Sequence, residues 1–350
     1  VTHVVATGQR PLRLRNGSHL TPVALEVATW GKPNRARDNA VLVCHSFSAD
    51  AHAAGHDGST SATWRSWRQG RVGWWDDLIG PGKAIDTDRW WVICSNVIGG
   101  SGGSTGPDSI DVATGLPWHD RFPRLHITDI VAAQQRLMEQ LDIPRWRLVT
   151  GGSLGGIQAL TWAIAGGNRV ERVVAIAAAA SLAPMGRTHF RSGAERIAAA
   201  LATGADGLRA LHETLAGAQV FSGGPVSTQT ASHHQTTADE LTTIAAAWPA
   251  ERFSPRTYLA LSQALLDYDL AHDWGDGDLD AAVRPIRADV TLLGYPGDRV
   301  FTPTAQTRLA AAIRRTGGHA RAVALAGSHG HDSFLLEQQT LIPWLRRALA

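Results

Sequence analysis

The stretch LVTGGSLGGIQAL, Leu148 to Leu160, sets Ser153 among four glycines where a β-branched run gives way to a helical pattern. Gly151 to Gly155 match G-x-S-x-G, the pattern of a nucleophile elbow when a strand leads in and a helix leads out. Such a turn is strained and lifts the serine Oγ above the sheet. Side chains on the neighbouring residues would collide there, so glycine is needed on both sides. A tight glycine turn carrying an incidental serine would read the same way. The pentapeptide alone leaves both readings open.

The surrounding pattern supplies the context. NAVLVCHSF reads as a buried strand, Ala40 to Cys44, entering a polar loop. RWWVICSNVIGG reads as a second strand running into the glycine-rich loop Gly99 to Gly106. HITDIVAAQQRLMEQLDI has apolar residues at helical spacing, with Thr128 as the candidate N-cap. After the elbow come the strand RVERVVAIAAAAS and, further on, the strand Val290 to Tyr295, the helix TAQTRLAAAIRRTGG and the strand Arg321 to Leu325. The segment FLLEQQTLIPWLRRALA reads as a final helix. Repeated strand–loop–helix units predict an α/β fold, a mostly parallel sheet flanked by helices. Residues 182–250 are rich in Ala, Thr, His and Gly and read as a helical lid inserted between core segments 1–181 and 251–350.

Composition narrows the function. The 350 residues are 44% hydrophobic and 18% charged, with 33 basic and 31 acidic side chains and a formal net charge of +2. Charges form no blocks, which gives no footprint for nucleic acid or an anionic membrane. The two cysteines, Cys44 and Cys94, end apolar runs and read as buried strand thiols. Without an apolar leader or spanning run, a cytoplasmic enzyme is the expectation. The loop Gly99 to Gly106 lacks the G-K-[ST] ending of a phosphate-binding loop and reads as a structural loop at a pocket mouth. His233-His234 has no third ligand at metal spacing, so no metal is expected.

Serine needs a base to take its proton, and hydrolase-type triads run in the order Ser, Asp or Glu, His. Asp298 follows one predicted strand at GYPGD, and His331 follows another at SHGHDSF. Loops after strands are where open α/β sheets gather functional groups. His329 is the rival base. The oxyanion hole needs two backbone donors, one after the nucleophile and one after an earlier strand. Leu154 N–H is the first, and the loop His45 to Ser48 supplies the second, best from Phe47.

At the level of longer blocks the chain resembles the homoserine O-acetyltransferase family of α/β-hydrolase-fold acyltransferases. The blocks are ARDNAVLVCHSFSADAH (Ala36 to His52), GWWDDLIGPGKAIDTDRWWVICSNVIGGSGGSTGP (Gly73 to Pro107), GGSLGGIQALTWA, RFSPRTYLALSQALLDYD and GHDSFLLE. The resemblance implies an α/β-hydrolase fold with a helical lid and a triad of Ser153, Asp298 and His331. The family's histidine lies in Gly-His-Asp, here Gly330-His331-Asp332, which decides against His329. It implies that Asp332 meets the acceptor's amino group, and that acyl-CoA, expected to be acetyl-CoA, acylates the serine before an acceptor hydroxyl takes the acyl group. Homoserine, serine and related hydroxylated metabolites are the implied acceptors. No bound cofactor is implied, and pairing through lid helices makes a homodimer possible. The family's Tyr-Arg-Ser lid stretch, whose arginine grips the substrate carboxylate, has no counterpart. Val220-Phe221-Ser222 holds the nearest register, with Phe221 as the acceptor-facing residue, and Arg187, Arg191 and Arg196 are the nearby lid cations. The alternative outcome is a serine hydrolase (esterase, lactonase or deacylase), in which water resolves the same acyl-enzyme.

Overall fold

Five-residue runs such as Ala40–Cys44 and Trp91–Ser95 are buried at every position. Strands covered on both faces have no use for alternation, and they build the middle of a parallel sheet. The computed structural model describes residues 2–8, 10–56, 71–222 and 253–350. Its main sheet has eight strands: β1 (Thr2–Gly8), β2 (Val23–Trp30), β3 (Ala40–Cys44), β4 (Trp91–Ser95), β5 (Trp146–Gly152), β6 (Val170–Ile176), β7 (Asp289–Gly294) and β8 (Ala320–Ala324). Their spatial order is β1-β2-β4-β3-β5-β6-β7-β8. The first two strands join antiparallel and the rest are parallel. Because β3 lies between β4 and β5, the chain reverses its direction of travel at the carboxyl ends of β3 and β5. Open α/β sheets place their ligands at such a point.

Helices cover both faces. On one side lie α1 (Ile127–Gln140) and α2 (Leu154–Ala165), whose apolar residues join β3 and β5 in the larger core cluster. On the other, Trp75, Leu78 and the closing helix pack in a second cluster. The segment expected to form a lid follows β6 as α3 (Pro184–Ala202) and α4 (Gly207–Ser222), and both pack against α5 (Pro255–Asp267). Short helices α6 (Leu270–Gly275) and α7 (Leu279–Val283) lead to β7, and α8 (Pro303–Arg315) joins β7 to β8. The lid–core boundary placed at residue 250 and the pair His233-His234 lie outside the described residues.

Three local expectations need correction. Helix α1 starts at Ile127 with His126, not Thr128, as N-cap, because the Asp129 carboxylate accepts the His126 N–H while the His126 ring accepts from Thr128 N–H. The closing segment is not one helix. It breaks into α9 (Ser333–Leu336), a 3-10 turn and α10 (Ile342–Leu349), with Pro343 in the first turn of α10, where its missing N–H costs nothing. Strand β5 does not give way where the β-branched run stops at Thr150 but continues through both glycines to Gly152. Cys44 and Cys94 are buried free thiols, and burial pushes the Cys44 thiol up, which keeps it protonated and unreactive. Among the described residues, no helix is long and apolar enough to cross a membrane.

The loop Gly99 to Gly106 is a clasp. The Ser104 and Thr105 hydroxyls accept from the backbone of β2, and the Ser101 hydroxyl meets Thr257 in the first turn of α5 at 2.8 Å.

Packing is tight at the elbow, where a Cβ on Gly155 would overlap the Cys44 carbonyl. Gly155→Ala should therefore lower stability by more than about 2 kcal/mol, as overpacking against rigid backbone does. Gly217, inside α4 with open space around it, provides the contrast: Gly217→Ala should stabilise by about 0.5–1 kcal/mol. Denaturant midpoints at constant m-value check both.

Candidate active site

Ser153 stands between β5 and α2 with φ 57° and ψ −120°, a conformation that L residues avoid unless the surroundings impose it. Three contacts impose it here. The Ser153 N–H donates to the Ile176 carbonyl at 2.9 Å, Gly155 rides on the Cys44 carbonyl, and Gly152 leaves room for the Phe334 ring. The serine caps no backbone donor with its side chain. Its Oγ lies 2.8 Å from His331 Nε2 instead.

His331 is carried by the loop after β8. Its Nδ1 is 3.0 Å from Asp298 Oδ2. A carboxylate accepts only, so Nδ1 carries the proton and Nε2 turns its lone pair to the serine hydroxyl. The Phe301 and Phe334 rings pack against the imidazole, each with its centroid 5.9 Å away. Burial by itself pulls the imidazole pKa down. The charge of Asp298 and its hydrogen bond, with Asp332 adding, outweigh burial and leave His331 above the usual histidine value.

Asp298 lies in the loop after β7, with its side chain buried. Its second oxygen, Oδ1, accepts the backbone N–H groups of Val300 and Phe301, each at 2.8 Å. The carboxylate is thus held from both ends, and the imidazole inherits a fixed orientation.

The rival His329 points elsewhere. Its Nδ1 meets the Ser328 hydroxyl at 3.2 Å and faces Glu337 at 3.5 Å. Asp332 is half-buried at the start of α9 and adds its field to His331.

Leu154 is the first residue of α2, so its N–H has no acceptor inside the helix. Phe47 lies in the loop after β3. Its ring packs against Phe190 of α3, Phe253, and Tyr258 of α5, with centroids 5.1, 5.3 and 5.2 Å away. The loop is also braced from below: Val97 N–H donates to His45 Nε2 at 3.0 Å. Phe221 falls in the last turn of α4, and its side chain is outside the described residues. Of the lid arginines, Arg187 donates to the Leu266 carbonyl, Arg196 pairs with Glu213 at the surface, and Arg191 is exposed.

Sequence reasoning missed several residues that shape this site. His189 on α3 is partly buried and packs on Phe190, and its pKa is lowered first by burial and then by the charge of His331. Phe301 and Phe334 look like ordinary core residues until the imidazole is placed between them. Gln158 is fully buried in α2, and the signal for it was in plain view, a lone amide in the apolar run LGGIQALTWAIA.

The α/β-hydrolase-fold family model matches residues 39–222. A homoserine O-succinyltransferase of Nocardioides is 36% identical over 95% of this chain and 93% of its own length. A homoserine O-acetyltransferase of Symbiobacterium thermophilum is 35% identical over 99% of this chain and 93% of its own. The crystal structure of homoserine O-acetyltransferase from Bacillus anthracis superposes with a TM-score of 0.87 at 22% identity, covering 99% of this chain and 97% of that one. Near-full-length identity at this level, on the same fold, makes this chain a member of the homoserine O-acyltransferase family, O-acyltransferases built on the α/β-hydrolase fold.

Proposed function

We propose that the protein moves a short acyl group from acyl-CoA to the hydroxyl of homoserine, or of a close hydroxylated amino acid, through an acyl-serine. The observation that carries this reading is the unbroken relay Asp298–His331–Ser153, ending on a serine in a strained turn. Ser153 Oγ attacks the thioester carbonyl as His331 Nε2 takes its proton. The negative charge on the carbonyl oxygen falls to the N–H groups of Leu154 and Phe47. The C–S bond breaks, His331 returns the proton to the CoA sulfur, and the thiol departs. The acceptor hydroxyl then repeats the attack with His331 again as base, releasing the ester and Ser153. Asp332, beside the histidine, is the group that meets the acceptor's ammonium.

Relatives named for acetyl and for succinyl transfer match this chain almost equally, at 35% and 36% identity. Acetyl-CoA is the donor we favour, on the blocks that resemble the acetyltransferases. CoA release from acetyl-CoA and succinyl-CoA, each with homoserine and with serine, tests the reading. Acceptor-dependent release is expected, and release indifferent to every acceptor would favour hydrolysis.

Ser153→Ala and His331→Ala should each abolish nearly all turnover. The double variant should be little worse than either, because the relay acts as a unit. His329→Ala should retain wild-type activity, and the reverse pattern would exchange the two histidines.

The base works only as the neutral imidazole, so protonation of His331 should switch the enzyme off. Because its pKa is raised, the acid limb of kcat/KM should lie above the ordinary histidine value of about 6.5. Asp298→Asn removes the group that raises it. The limb should then move down while kcat drops by about 10⁴.

Asp332→Asn separates the two half-reactions. Its first-turnover burst of CoA should survive, while KM for the amino-acid acceptor rises about tenfold or more, as expected on losing a charge-assisted contact of roughly 1.5–3 kcal/mol. Equal loss in both halves would assign Asp332 to the base rather than to the acceptor.

A further inference from the structure

Gln158 is a polar residue in a place that excludes water, and it is fully satisfied. Its Nε2 donates to the carbonyls of His45 at 3.3 Å and Leu154 at 3.1 Å. Its Oε1 accepts from Gln134 Nε2 at 2.8 Å. Gln134 Oε1 in turn accepts the indole N–H of Trp162 at 2.8 Å, and Gln134 Nε2 also reaches the Ser95 hydroxyl at 3.4 Å. Indole only donates and peptide carbonyls only accept, so chemistry fixes the direction of both amides. The result is a one-way relay from Trp162 through Gln134 to Gln158, ending on two carbonyls.

Those two carbonyls belong to different elements. Leu154 opens α2 and carries one of the oxyanion donors assigned above. His45 opens the loop after β3, two residues before Phe47, which carries the other. One NH₂ group bridges them. The far side of His45 is pinned as well, since its Nε2 accepts from Val97 N–H and its Nδ1–H donates to the Ser46 carbonyl at 2.8 Å.

We propose that Gln158 is a positioning residue for acyl transfer, its amide setting the separation of the Leu154 and Phe47 N–H groups. The inference rests on the acyl-serine reading and its oxyanion hole. Gln158 touches no reacting atom, so its effect runs through geometry and grows as charge builds on the carbonyl oxygen. A displacement of about 1 Å in such a site costs about 10² in rate. Binding of the neutral thioester depends on it far less.

The test uses Gln158→Met, which keeps length and volume but removes both donors, and Gln158→Glu, which keeps the shape and replaces the NH₂. Active sites are first counted by stoichiometric labelling of Ser153 with a fluorophosphonate. Turnover of acetyl-CoA with homoserine, or of p-nitrophenyl acetate, is then expressed per labelled site. In both variants kcat should fall about 10- to 100-fold, with KM within about twofold and the acid limb of the pH profile unmoved. Affinity for an alkyl boronic acid, which forms a tetrahedral adduct on the serine, should weaken by a similar factor. A kcat per labelled site within about threefold of wild type would overturn the proposal. So would a loss of activity matched by loss of labelled sites, in either variant or both, because that marks a role in folding alone. Should the wild-type protein itself fail to label or turn over, the acyl-serine reading falls and takes this inference with it. That failure shows before any variant is compared.

Discussion

The closest approach at the elbow is that of Gly155 to the carbonyl of Cys44, and the geometry of the site follows from it. A helix rarely sits this near the end of a strand, because any Cβ would strike the carbonyl oxygen. With the gap closed, the first turn of α2 lies directly beside the exit of β3. The start of α2 at Leu154 then adjoins the loop His45 to Ser48, and the Gln158 amide spans the two through the Leu154 and His45 carbonyls. Gly152 plays the matching part on the other side, admitting the Phe334 ring, which flanks His331 from α9. The serine turn, the exit of β3 and the segment bearing Phe334 crowd together because glycines let backbone, and one aromatic ring, come this close.

Electrostatics then turns proximity into a poised base. A buried imidazole favours the neutral state, and a buried carboxylate beside it favours the cation. The carboxylate of Asp298 outweighs burial, and two backbone donors hold its second oxygen in place. In the proposed reaction this balance supports the imidazole as it takes the serine proton. Phe301 and Phe334 keep water from relaxing that balance.

How much of this could be read beforehand depended on whether the signal was local. The elbow was legible because G-x-S-x-G needs glycine for a steric reason written into consecutive residues. Asp298 and His331 were legible by their order after predicted strands. The N-terminal strands Thr2–Gly8 and Val23–Trp30, which pair antiparallel with each other, went unread, and the second finds its place in the sheet only through the distant Trp91–Ser95. Thr128 was misread as a cap because the deciding contact, Asp129 reaching back to His126, depends on where the chain before the helix turns. The aromatic wall of Phe47, Phe190, Phe253 and Tyr258 was beyond any window, as its members come from three separate segments.

That wall links the two halves of the enzyme. Phe47 packs its ring against α3 and α5, and the proposed oxyanion hole uses its backbone N–H, so on that reading one residue belongs to both the chemistry and the roof. A change in how α3 and α5 pack is therefore felt at the Phe47 backbone, unless something holds the loop from beneath. His45, tied to Val97 on one side and to Gln158 on the other, is placed to hold it. Packing against the lid from above and hydrogen bonding from the core below act on the same four residues, His45 to Ser48. The core side is the stiffer of the two, because its bonds are directional and buried while aromatic packing tolerates small slides. On the proposed assignment, the helices over the sheet can vary their acceptor contacts, as the lack of a Tyr-Arg-Ser stretch requires here, while the N–H groups of Leu154 and Phe47 keep their place.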